Sequence, residues 1–342
     1  MVQPNIQRDR AGCIALINSN HSLLTRVQSM LLDGHFVIEH TARSRSGRFF
    51  NFNGTAGIWR RACIDDAGGW HADTLAEDLD LSYRAQMRGW RFLFLPEVVV
   101  PAELPVEMNA FKTQQHRWAK GSMQTCLKIL PAVWRSPVPF KVKFEATIHL
   151  TSGLGYIMLL LMCLTFRVTG PTVTPPVAGS EALTKLLLVD LPLFFAASVS
   201  VIAFYMCGQV AVYQSGWKRF VYVPLLMGVG VGLSINNARA VIEALCNHKT
   251  DFIRTPKYGL HTGRHPARYR ALRSLVPLCE LAMGLYFVHL LINFIEVERW
   301  SVVPFLVVML GGFFYVGFLS LGQSVRPWFV RHAEPELAPA SP

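Results

Sequence analysis

The sequence predicts an α/β domain followed by an α-helical membrane bundle of about four spans. Composition is the first observation behind this. Of the 342 residues, 51% are hydrophobic and 16% charged, and the mean hydropathy is +0.31. A soluble domain carries about 25% charged residues. The second observation is the unevenness of that apolarity. Residues 1–145 read as an ordinary globular mixture, whereas 146–322 contain long apolar runs, so one region is water-facing and one lies in a membrane. The third is local pattern in the first region, where helical periods alternate with strand-like runs and glycine stops.

In chain order, "NHSLLTRVQSMLLDGHF" places Leu23, Val27, Met30 and Leu31 at helical spacing, with Gly34 as its expected stop. Residues 48–61, "RFFNFNGTAGIWRR", read as a strand kinked at Gly54 and Gly57. "RACIDDAGGW" reads as a short helix ended by Gly68 and Gly69, and "EDLDLSYRAQMRGW" as a helix closed by Gly89. "RFLFLPEVVVP" reads as a buried strand ending at a proline, and "VEMNAFKTQQHRWAKGS" as a helix leading to the first span.

Four runs satisfy the length of about 20 apolar residues that a span needs: 147–166, 186–208, 275–295 and 301–322. A fifth, 220–236, is marginal. Residues 239–273 hold eight Lys/Arg, and Lys120, Lys128, Arg135, Lys141 and Lys143 precede the first span. Both basic segments belong on the cytoplasmic side, so an even number of crossings separates them. On that ground 220–246 is expected to lie at the cytoplasmic interface. The predicted division is 1–119 catalytic-type domain, 120–146 interface helices, 147–322 membrane region, and 323–342 cytoplasmic tail. The expected setting is the inner (cytoplasmic) membrane, multi-pass, with the soluble part in the cytoplasm.

The net charge of +11 does not point to nucleic acid, because the basic residues flank apolar segments. The seven cysteines are scattered and form no C-x-x-C pair or disulfide framework. "MVQPNIQRDRAG" has no apolar run and does not read as a signal peptide. A transporter is disfavoured, since His149, Asp190 and His289 are dispersed near span ends rather than clustered along a path.

Two clusters carry chemistry. Glu77, Asp78 and Asp80 sit at the start of a helix. Acids there either complement the helix dipole or supply a base. Gln114, Arg117 and Trp118 fall at i, i+3 and i+4 and share a face. An amide, a guanidinium and an indole together suit a sugar or a phosphate. They equally suit a juxtamembrane helix anchored at the lipid interface.

Order distinguishes these readings. F-N-G-T-A, A-G-G-W, A-E-D, R-G-W and Q-Q-H-R-W precede the membrane spans in succession. The set resembles the processive family 2 glycosyltransferases of the cellulose synthase-like group, and most closely their glucomannan (mannan) synthase-like branch. The resemblance covers about residues 20–322 and implies a GT-A-like domain. It assigns Asp78 as catalytic base with Glu77 beside it, although Ala76 stands where the family has Thr. It also assigns Gln114, Arg117 and Trp118 to the acceptor and diphosphate site. "DFIRTPKYG" matches the family's gating loop at Phe252, Thr255 and Lys257, with Arg254 in place of a valine.

The implied partners are a nucleotide sugar, a glycan or glycolipid acceptor, and the bilayer. GDP-mannose is the first expected donor and UDP-glucose the second. A glycolipid-forming enzyme and a truncated, non-catalytic fragment are the alternatives. Mg²⁺ or Mn²⁺ is expected for the family, but its D-x-D ligands belong before a strand that here is residues 2–3. The nucleotide-binding half is therefore expected to be missing, no metal ligand is assigned, and this polypeptide alone is expected to show little or no transfer.

Overall fold

The structure is a computed structural model that describes residues 14–54, 56–96, 98–169, 184, 188, 191–256, 274–297, 300 and 302–333. Two short strands, β1 (Ile14–Leu16) and β2 (Val100–Ala102), pair in parallel, Ile14 opposite Val100 and Leu16 opposite Ala102. The Asn18 side chain extends this ladder by donating to the Leu104 carbonyl and accepting from its N–H, both at 2.8 Å. The pairing brings residues 14–18 alongside the segment that enters the long helix α5 (Met108–Arg135).

Helix α1 (Leu23–Asp33) starts on a capping box. Ser22 Oγ accepts from the Thr25 N–H at 3.2 Å, and Thr25 Oγ1 accepts from the Ser22 N–H at 2.9 Å. Gly34, expected to end this helix, does not. The chain continues as a π-helical stretch (Gly34–His40) into α2 (Thr41–Arg45). Gly34 serves close approach instead: a Cβ there would meet the Phe204 ring at 2.8 Å. Its φ of −58° is helical, so the glycine is present for space and not for a left-handed turn.

The two predicted strands over 48–61 and 91–101 are also corrected. Residues 48–53 and 91–95 are extended but belong to no ladder, and only 100–102 of the second run is strand. Among the described residues no neighbour supplies the partner N–H and C=O groups that a strand requires. Leu93, expected to be buried, is 80% exposed, and Ile58 is 98% exposed. Between these runs lie α3 (Arg61–Asp66) and α4 (Glu77–Met87). Gly68, Gly69 and Gly89 all have positive φ and close those helices as expected.

One core is built where α4, α5 and α6 (Phe140–Thr151) meet α10 (Ser234–Leu245). Leu79, Tyr83, Met123, Ile129, Leu150 and Val241 pack there. Tyr83 donates or accepts at 2.7 Å to His149 Nδ1, joining α4 to α6.

Beyond α6 lie α7 (Leu154–Thr169), α8 (Leu191–Val212), a 3₁₀ turn (Gly216–Tyr222), α9 (Val223–Gly232), α10, α11 (Val276–Glu296) and α12 (Val303–Ala333). Among the described residues, three helical runs are long and apolar enough to cross a membrane: Gly216–Leu245, Val276–Glu296 and Val303–Ser324. The α6/α7 pair qualifies as a fourth if its 55° bend lies within one span. The last two match expected spans 275–295 and 301–322. The expected span 147–166 is broken by the bend after Thr151, and part of 186–208 lies outside the described residues.

The run expected at the interface, 220–246, is therefore a candidate span by length and composition. Its two halves have different neighbours. Gly228 and Gly232 of α9 press against Gly312 of α12, where the backbones leave no room for a Cβ. α10 instead meets α5, to which Asn236 Nδ2 donates through the Lys112 carbonyl at 3.0 Å.

Candidate active site

Helix α4 places the acids. Its first turn holds Glu77, Asp78 and Asp80, and Ala76 caps it without a side-chain bond. Two supports fix this N-terminus. Gln124 Oε1 accepts from the Leu75 N–H at 2.9 Å. Gly121 of α5 lies directly beneath, where a Cβ would come within 2.8 Å of Ala76 N and Cβ and of the Leu75 carbonyl carbon. Ala76, which stands where the resembled motif has Thr, is thus seated against a glycine.

The "FNFNG" segment lies along α4 through side-chain bonds that replace a strand ladder. Gln86 bonds both the N–H and the C=O of Phe50, at 3.2 and 2.8 Å, and Ser82 Oγ accepts from the Phe52 N–H at 2.8 Å. These bonds bring Gly54, at φ +57°, to Asp78, whose Oδ2 would stand 3.6 Å from a Cβ on that glycine. The Leu79 N–H donates to Asp78 Oδ1 at 2.8 Å, and this bond together with the nearby Gly54 backbone works to lower the Asp78 pKa.

Burial nevertheless dominates, and it pushes Asp78 up to about 6, with the neighbouring Glu77 charge adding to the rise. A carboxylate with that value is still mostly ionised at pH 7 and is a stronger proton acceptor than an ordinary aspartate. Glu77 is exposed.

Asp80 takes no part in this. It is 0% exposed and pairs with Arg84 at 2.7 Å and with Lys128 at 3.1 Å. The structural role expected for it from helix geometry is the one its contacts describe.

On α5, Gln114, Arg117 and Trp118 fall in one continuous helix, Gln114 and Arg117 partly buried and Trp118 42% exposed. Arg117 Nη1 donates to the Ile253 carbonyl at 3.3 Å, and its guanidinium lies 4.6 Å from the centre of the Phe252 ring. Burial lowers the Arg117 pKa, and the charges of Glu77 and Asp78 oppose this. The guanidinium is therefore within electrostatic reach of both acids, so residues 77–78, 117 and 252–253 converge although they are far apart in sequence. Thr255 is buried, with no hydrogen-bond partner for its hydroxyl among the described residues. Lys257 lies outside the described residues.

Beside Arg117 opens a cavity of about 590 Å³. Leu75, Lys112, His116, Arg239 and Glu243 are among its walls, and Val276 and Pro277 of α11 close its membrane end. Glu243 organises one wall by accepting from Lys120 at 3.0 Å and Arg239 at 2.8 Å, with His116 Nε2 at 3.2 Å. Lys112 forms a 2.6 Å pair with Glu280 of α11, and both side chains are buried. The sequence reading missed this pair. The available signal was Glu280, an acid in the first turns of a 21-residue apolar helix whose other acid, Glu296, is its last residue.

Metal ligands were tested against one group. His71, Asp73 and Asp80 offer atoms within 4.8 Å of one another, the only three-ligand group of this kind among the described residues. It does not suit a divalent ion, because Lys128 Nζ already stands among the three. It lies 2.9 Å from His71 Nδ1, 2.8 Å from Asp73 Oδ1 and 3.1 Å from Asp80 Oδ1. A metal bound at about 2.0–2.2 Å from such ligands would overlap the ammonium.

Gly121 yields a direct prediction. Replacing it with Val is expected to cost about 1–3 kcal/mol, because backbone and not a flexible side chain fills the space. Thermal unfolding of the purified protein in detergent measures this. Transfer, where it is measurable, should fall further than stability, because the displaced atoms immediately precede Glu77 and Asp78.

The fold and site define a membrane-associated chain in which the carboxylate of Asp78 lies within electrostatic reach of Arg117, and Arg117 lines a cavity. The profile of Glycosyl transferase family group 2 matches residues 6–235, and the chain belongs to that family. Glucomannan 4-beta-mannosyltransferase 2 of Arabidopsis thaliana is 36% identical over 199 residues, covering 55% of this chain and 36% of that protein. Glucomannan 4-beta-mannosyltransferase 7 of the same plant is 28% identical over 325 residues, covering 90% of this chain and 54% of the relative. Probable glucomannan 4-beta-mannosyltransferase 11 of Oryza sativa subsp. japonica is 46% identical over 134 residues, 39% of this chain and 23% of that one. The chain thus spans about half the length, or less, of these curated relatives. No solved structure matches it.

Proposed function

We propose that the protein is an inverting hexosyltransferase that extends a β-linked polysaccharide at a membrane, with a nucleotide sugar as donor. The observation that carries this is the convergence of Asp78, held near a pKa of about 6, with Arg117. In the proposed step, the acceptor hydroxyl oxygen bonds to the anomeric carbon as its proton passes to Asp78. The bond from that carbon to the diphosphate oxygen breaks, and the diphosphate leaves with the electron pair. Arg117 stabilises the departing charge. Glu77 holds Asp78's value up, and Gln114 and Trp118 offer an amide and a ring to the acceptor sugar. Phe252 and Thr255 belong to the loop proposed to cover the site, Phe252 by stacking on Arg117, and the family resemblance assigns Lys257 to the same loop. A divalent cation, where bound, would neutralise the donor diphosphate; the Lys128-filled group supports the view that its ligands are not among the described residues.

GDP-mannose is the proposed first donor, supported by the relatives' names, with UDP-glucose second. The cytoplasmic face of the inner membrane is the proposed setting. Incubating membranes that hold the protein with each radiolabelled donor tests this, the polymer being digested with β-mannanase or cellulase. A mannanase-sensitive product from GDP-mannose is expected. Label appearing only in a lipid extract would replace the polysaccharide reading with glycolipid synthesis.

A further inference from the structure

The His71–Asp73–Asp80 group has the makings of a cation site, and a cation is already there. Lys128 comes from α5, 48 to 57 residues away in sequence, and its ammonium meets all three side chains at 2.8 to 3.1 Å. An ammonium can only donate, so in this contact the His71 Nδ1 is the acceptor. Asp80 is fully buried and its second oxygen is taken by Arg84, through Nε at 2.9 Å and Nη2 at 2.7 Å. The same guanidinium donates to the Gly69 carbonyl at 2.8 Å and to the Ala67 carbonyl. Two cations therefore tie the 67–73 loop to α4 from its two ends, Arg84 at the entry and Lys128 at the exit.

We propose that Lys128 is the resident cation of this group and a positioning residue for the 67–73 loop. The loop needs such a clamp. Gly68 and Gly69 both have positive φ, residues that give the backbone much freedom to lose. The loop also carries Trp70, 48% exposed, whose ring meets Trp59 edge-on at 5.8 Å. Trp59 in turn touches Phe52 at 5.3 Å, and the Phe52 N–H is bonded to Ser82 of α4. This row of aromatic rings leads from the clamp to the segment that delivers Gly54 to Asp78. A metal in the same place would make the loop's order depend on metal supply; an ammonium makes it constant.

The test substitutes the cation. In the purified chain in detergent, zinc binding is measured by equilibrium dialysis, and loop order by the rate of chymotrypsin cleavage after Trp70. The native chain is expected to show no zinc binding that depends on His71. Lys128→Ala should cleave at least about tenfold faster at Trp70 and gain one zinc equivalent, with a carboxylate–histidine donor set suited to that ion. Zinc should then slow the cleavage of Lys128→Ala back toward native, and have no such effect in His71→Ala/Lys128→Ala. Rescue by zinc separates a cation's role from mere loss of packing.

Lys128→Met, which keeps the apolar stem, takes the place of the alanine variant if circular dichroism shows that the latter has unfolded. Zinc binding by the native chain that disappears in His71→Ala would overturn the proposal. So would a folded Lys128 variant that gains no His71-dependent zinc site, or one whose Trp70 cleavage is unchanged.

Discussion

Asp78→Asn is expected to reduce hexose transfer by about 10²–10⁴-fold, the usual contribution of a positioned general base. The substitution keeps the shape of the side chain and its place at the start of α4. Its effect on stability should run the other way. Burial raises the Asp78 pKa to about 6, so above that pH the folded state holds a charge it disfavours relative to the unfolded chain. An aspartate of this kind contributes stability at low pH and loses it as pH rises through about 6. The neutral amide carries no such penalty, so near pH 8 the variant should unfold at the same temperature as the native protein or higher. Transfer by the native protein should rise with pH through about 6 as the base ionises. Measuring transfer and thermal unfolding across pH 5–8 checks both halves. Loss of activity accompanied by equal loss of folded protein would assign Asp78 to structure instead.

The placement of the candidate site residues was legible in the sequence where it depends on local spacing. Glu77 and Asp78 open a helix, and Gln114, Arg117 and Trp118 share one, as their sequence intervals require. What sequence could not show is the support beneath them. Gly121 reads as an indifferent glycine in a helix, yet it makes room for Ala76. Gly34 carried a stop signal, but the chain uses its missing side chain to admit Phe204 and continues as helix. The runs 48–61 and 91–101 have strand composition, but strand is a property of a pair. The first is held to α4 by Ser82 and Gln86, and the second is free of ladders apart from residues 100–102. Lys128 and its three partners are spread over 58 residues of sequence, from 71 to 128, so no local motif announces them. In the membrane region, a parity argument from flanking charge placed 220–246 at the interface. That argument weighs only the ends of a segment, while its apolar middle is long enough to cross.

Lys112→Met is expected to destabilise the protein by about 3–5 kcal/mol, the cost of leaving a buried partner charge unmatched. Glu280 is 0% exposed, and Lys112 Nζ at 2.6 Å is its ion-pair partner. Burial also pulls the Lys112 pKa down, and Glu280 is the group that opposes it, so each charge is tolerated because of the other. The double variant Lys112→Met/Glu280→Leu should recover most of the loss, since two apolar side chains of similar volume remove both desolvation costs together. Unfolding of the native, single and double variants in detergent forms a cycle whose coupling energy reports the pair. The location gives this cycle a functional reading. Lys112 lies on α5 two residues before Gln114 and lines the cavity beside Arg117, while Glu280 belongs to a membrane-length helix. The pair therefore joins the helix that bears Gln114, Arg117 and Trp118 to a membrane-length helix. If it serves only stability, the double variant will regain transfer along with its melting temperature. If the charges also meet the glycan's hydroxyls in the cavity, stability will return and transfer will stay low.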